Sequence, residues 1–158
     1  MRKAHNADED LEERICRDLA FLFDRYRATV SSNTREAFGN SEVTVAVCNV
    51  EFKFAKNERD GVFRVLVGPR NGLGVWELIQ VALAASTGEN PADLSFPLSY
   101  NDDPVGQSYL GLSSSYIGLT ILAEILEPRF DRLNEAFAPE KYSDTHSRMM
   151  QIERMVHP

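Results

Sequence analysis

Residues 71–128 contain no lysine, arginine or histidine, yet seven acids remain there: Glu77, Glu89, Asp93, Asp102, Asp103, Glu124 and Glu127. The chain holds 24 acids against 17 Lys and Arg, so the residues outside this window balance and the formal charge of −7 sits within it. A block of one sign repels phosphate and attracts cationic surfaces, which argues against a nucleic-acid binder. Cysteine is scarce too. Cys16 and Cys48 are too few for a disulfide framework in 158 residues and are expected to be reduced, small core residues. No apolar run approaches the roughly 18–20 residues that cross a bilayer, so no membrane role is expected. The polar, acid-rich N-terminus lacks the apolar centre of a secretion signal, and the expected compartment is the cytoplasm. The three histidines, His5, His146 and His157, lack ligand spacing, and neither cysteine has a His or second Cys at zinc-site spacing. No metal and no cofactor are expected.

What is present fits one globular domain over 1–158, with a short flexible N-terminus at about 1–7. A hydrophobic content of 43% with 26% charged residues excludes wholesale disorder. Leu11, Ile15, Leu19, Leu22 and Tyr26 recur at helical spacing and predict an N-terminal helix. The period then changes to two. A strand is expected at 26–32, followed by alternation of Val43, Val45 and Val47, then of Phe52 and Phe54, then of Phe63, Val65 and Val67. The short connections require antiparallel neighbours. A helix is expected over 75–85, ending at Thr87-Gly88, then a long connection over 89–112. Further helices carry Leu119, Leu122 and Leu126, then Phe130, Leu133 and Phe137, then Met149, Ile152 and Val156. The expected fold is α+β: an antiparallel meander of about four strands with an N-terminal helix and three to four C-terminal helices on one face.

Few motifs carry chemistry. Gly68, Gly72 and Gly74 precede a helix, but the P-loop lysine and the G-x-G-x-x-G spacing are missing, which leaves a strand-to-helix turn. Ser113, Ser114 and Ser115 read as a helix cap, with no nucleophile elbow around them. Asp102 and Asp103 are a carboxylate pair, but Asn101-Asp102-Asp103-Pro104 is also what a β-turn prefers. Tyr100 and Tyr109 flank these acids, and aromatic anchors beside acids suit binding to a basic protein surface. Tyr100, Asp102, Asp103 and Tyr109 are therefore the expected partner contacts, with Glu89 and Asp93 on the rim. Met149, Met150, Ile152, Met155 and Val156 either pack back on the domain or form an exposed homodimer patch.

The run from Leu19 to Tyr26, Ser41-Glu42-Val43-Thr44-Val45, Glu51-Phe52-Lys53-Phe54 and Gly61-Val62-Phe63 resemble elements of small bacterial α+β proteins, some of them proposed as immunity proteins of polymorphic toxin systems. The resemblance covers under half of the chain and carries no site residues across. Together with the acidic block, it leads to the expectation of a non-catalytic protein that neutralises a cognate basic toxin by direct contact through an acidic surface. The alternative is a small-molecule-binding or regulatory domain, without catalysis, that uses a cavity between sheet and helices.

Overall fold

Two short helices open the described part of the chain. The computed structural model describes residues 11–35, 40–57, 62–70, 72, 76–94 and 116–156. Helix α1 (Leu11–Asp18) and helix α2 (Ala20–Tyr26) replace the single continuous helix expected from the apolar spacing, with the break at Leu19 (φ −113°, ψ 36°). Leu11, Ile15, Leu19 and Leu22 are nevertheless all buried, so the break leaves the apolar stripe facing the core. Helix α2 ends with Arg27 in the left-handed region, and the Ala28 N–H donates to the Leu22 carbonyl at 3.0 Å. Tyr26 therefore closes a helix instead of opening the first strand, which starts three residues later.

Five strands follow: β1 (Thr29–Arg35), β2 (Asn40–Val47), β3 (Val50–Asn57), β4 (Val62–Pro69) and β5 (Glu77–Leu78). They pair in chain order and antiparallel throughout. A two-residue turn at Cys48 and Asn49 joins β2 to β3, with Cys48 at φ 52°. The register sets Val43 against Phe54, Val45 against Phe52, Phe54 against Val65 and Phe52 against Val67. These side chains are all buried, as period-two alternation requires of one sheet face.

The fifth strand corrects the expected helix at 75–85. Glu77 pairs with Val67 and Leu78 with Leu66, so the chain stays extended before helix α3 (Ile79–Thr87) begins. Gly88 caps α3 as expected: its φ is 80° and its N–H donates to the Ala84 carbonyl at 2.9 Å. Just ahead of β5, Trp76 lies against Gly68, where an added Cβ would sit 3.3 Å from the indole. The Lys53 ammonium stands 4.5 Å from the centroid of the same ring. Gly68 thus sits within a strand beneath an aromatic ring, Gly72 takes a positive φ of 72°, and Gly74 lies outside the described residues.

A 3-10 turn (Pro91–Leu94) packs on α3. Helix α4 (Tyr116–Leu126) runs to a 3-10 turn at Glu127–Arg129, where Pro128 interrupts it; helix α5 (Phe130–Ala136) and helix α6 (Tyr142–Val156) complete the chain. Residues from both ends and from the sheet share one core cluster, in which Phe130 meets Tyr26 at 4.4 Å and Phe52 at 6.4 Å between ring centroids. Helix α6 packs on α3; Met149 is buried and Ile152 half-buried, while Met150 and Met155 are 37% and 78% exposed. The methionine-rich segment is therefore divided between core and surface. Both cysteines are free thiols and half-buried.

Candidate functional site

Glu89 and Asp93 are the two expected contact residues that can be placed; Tyr100, Asp102, Asp103 and Tyr109 lie outside the described residues. Glu89 follows the glycine cap of α3. Its two carboxylate oxygens accept from Arg129 Nε at 2.7 Å and Nη2 at 2.9 Å, and Arg129 Nη1 donates to the Ile125 carbonyl at 2.9 Å. Arg129, with help from the Thr87 hydroxyl, holds the Glu89 carboxyl down to about 2. Asp93 is exposed on the 3-10 turn and has no ion-pair partner among the described residues.

One other acid of the basic-free window is also tied to a cation from beyond it. Glu127 accepts from Arg25 Nη1 at 2.8 Å, across 102 residues of sequence. Glu77 is 8% exposed and shares the core side of the sheet with Val67. Burial and the neighbouring Glu153 of α6 raise its carboxyl to about 7, against the smaller opposing pull of the Leu78 backbone N–H. The acid block in sequence is thus not a uniform patch in space. Of its described members, Asp93 and Glu124 are exposed and unpaired among the described residues, whereas Glu77, Glu89 and Glu127 are engaged within the fold.

No family model, no curated protein and no solved structure matches the chain. The chemistry of its own surface has to carry the functional reading.

That surface includes a cleft of about 630 Å³ between the end of α3, helix α5 and the first turns of α6. It lies among helices. Phe52, Phe54, Phe130 and Phe137 are buried in the core between sheet and helices. Arg132 comes from α5, and Lys141, Asp144, Thr145 and Arg148 come from the start of α6 and the turn before it. The wall is held by a buried hydroxyl: Thr145 Oγ1 donates to the Ala136 carbonyl at 2.7 Å and joins α6 to the end of α5. On the opposite side the Thr87 hydroxyl donates back to the Leu83 carbonyl of its own helix at 2.8 Å.

The hairpin turn at Cys48 and Asn49 is anchored to helix α5. Asn49 N–H donates to Asn134 Oδ1 at 2.8 Å, and Asn49 Nδ2 donates to the Asn134 carbonyl at 3.1 Å. Among the described residues no group of three or more His, Cys, Asp or Glu has the arrangement of a metal site. No local pattern in the sequence signals the arginine pair in the cleft. Arg132 and Arg148 stand 16 positions apart on different helices, and only the corner held by Thr145 brings them to one surface.

The Arg129–Glu89 pair supplies a direct test of the local electrostatics. Arg129→Gln is expected to return the Glu89 titration midpoint, followed by side-chain carboxyl NMR, from about 2 towards the ordinary carboxylate value of 4.5. The sign follows from the depressed value: the contribution of Glu89 to stability is complete above about 4.5 and is lost as pH falls through about 2. The variant should therefore be less stable than the parent near neutrality, with the difference shrinking as pH falls through about 2. A midpoint that does not move would remove Arg129 as the cause.

Proposed function

We propose that this chain is an immunity-type binding protein that neutralises a cationic protein partner, a cognate toxin, through an acid-rich surface. The observation that carries this reading is the confinement of the whole formal charge of −7 to residues 71–128. Cations drawn from outside the window reach Glu89 and Glu127 but leave Asp93 and Glu124 exposed and unpaired among the described residues. Asp102 and Asp103, between Tyr100 and Tyr109 in sequence, add two further acids next to aromatic anchors. A protein that attacks nucleic acid or nucleotides needs a cationic cleft, and an acidic inhibitor occupies such a cleft by reproducing the field of phosphate. Complementary charge also raises the association rate, an advantage when the toxin has to be caught quickly.

The test is co-expression. The reading frame next to this one is induced in a sensitive host, and survivors are counted with and without this chain. Killing relieved by this chain supports the reading; a harmless neighbour, or killing that persists, removes it. With the partner in hand, Asp93→Lys combined with Glu124→Lys is expected to weaken binding about tenfold or more, mostly through slower association, at an unchanged melting temperature. Both positions are exposed, so the substitutions leave the core intact.

A further inference from the structure

We propose that the cleft between α3, α5 and α6 is a binding site for a phosphate monoester about the size of a mononucleotide, held between Arg132 and Arg148. The site is independent of the acidic surface, and its success or failure leaves the toxin reading untouched. The volume of about 630 Å³ falls in the range of small-molecule sites, roughly 300–1,000 Å³, and exceeds what a phosphate group alone fills.

The charges choose the ligand. Arg132 and Arg148 approach from two different helices, and neither has a carboxylate within ion-pair distance among the described residues. Arg132 also acts, weakly, on the titration of Glu89. Both Glu89 oxygens are already taken by Arg129, which leaves the Arg132 guanidinium available to a ligand. Arg148 Nη2 lies 3.5 Å from Thr145 Oγ1, at the corner between the helices. Two guanidinium forks match the oxygens of a dianionic phosphate, whereas a single carboxylate would engage only one of them well.

The remaining polar groups refine this choice. Lys141 Nζ contacts Glu135 Oε1 at 2.6 Å, and both side chains are exposed, so this rim pair is worth little and can exchange partners. Asp144 and Glu135 add two negative charges to the lining, which disfavours a polyphosphate or a nucleic-acid strand and leaves a monoester as the best match. Asp144, Thr145 and Arg148 bring one side of helix α6 to the cleft.

The experiment is isothermal titration calorimetry of the full chain in low-salt chloride buffer, with inorganic phosphate and adenosine monophosphate as the probes. Saturable binding of both is expected, with the nucleotide the tighter. Arg132→Gln and Arg148→Gln are each expected to weaken nucleotide binding by about tenfold or more, the loss of one charge-assisted contact. Arg64→Gln is the matched control, because it removes the same charge from an exposed position on β4. All three positions are exposed, and circular dichroism with thermal melting verifies that each variant is folded. No saturable binding of either probe up to about 10 mM overturns the proposal. An equal loss in Arg64→Gln overturns it as well, since attraction would then be diffuse. Phosphate binding without nucleotide binding overturns the ester assignment.

Discussion

Phe130→Ala is expected to remove about 3–5 kcal/mol of stability, a large share of the roughly 5–15 kcal/mol that holds a domain of this kind together. Phe130 is fully buried and opens α5 immediately after the Pro128 interruption. Its ring lies between Tyr26 of α2 and Phe52 of β3, at centroid distances of 4.4 and 6.4 Å, so it joins the N-terminal helices, the sheet and the C-terminal helices. Truncation would leave a cavity at this junction that surrounding atoms can fill only partly. For a chain of this length the loss corresponds to a fall in melting temperature of about 10–15 °C. Phe130→Leu keeps most of the volume and should cost about 1.5 kcal/mol. Urea unfolding of both variants checks the ranking. Equal small losses would show that the three parts do not depend on this ring. The effect extends to the cleft, because Arg132 is two residues along the same helix.

Glu77→Gln is expected to gain stability at pH 8, on the order of 2 kcal/mol after allowance for solvent screening, while changing little at pH 5. Burial and Glu153 raise the folded-state carboxyl to about 7, against an ordinary value of 4.5. The folded protein therefore holds the proton more tightly than the unfolded chain. The benefit is complete below about 4.5, declines as pH rises, and is gone once pH passes about 7. Below that point one proton can be shared by the two carboxyls, and above it β5 and α6 oppose two negative charges across a mostly buried contact. Glutamine preserves the shape and donates a hydrogen bond without ionising. Urea midpoints measured from pH 5 to 8 should slope downwards for the parent and lie nearly flat for the variant. Parallel curves would mean that the carboxyl pair does not govern this pH range. Glu153→Gln should shift the Glu77 midpoint back towards 4.5, because it removes both the like charge and the carboxylate acceptor.

Much of the fold was legible in the order of apolar residues. Val43, Val45 and Val47 and the Phe52/Phe54 pair alternate because one sheet face is buried, and a period of two survives in sequence whatever covers that face. The glycine after Thr87 was readable as a cap because an αL position favours a residue without a Cβ. The first correction lies at Leu19: apolar spacing reports which side of a helix is buried, and a break that preserves that side leaves the spacing unchanged. The second lies at Glu77 and Leu78, where the edge of β4 draws two residues into a strand that local pattern could not separate from the start of α3.

The functional surface was less legible, and for a different reason. The sequence by itself determined the charge balance, the α+β class and the buried face of each strand, all of which depend on neighbours a few positions apart. Only the tertiary structure decided which acids remain available. Arg25 reaches Glu127 across 102 residues and Arg129 reaches Glu89 across 40, pairings that no local period encodes. It also decided that the buried Glu77 would face Glu153 of α6 and that Arg132 and Arg148 would share one cleft. Local periodicity records whether a side chain is wet or dry; the partner it meets depends on how the helices close over the sheet.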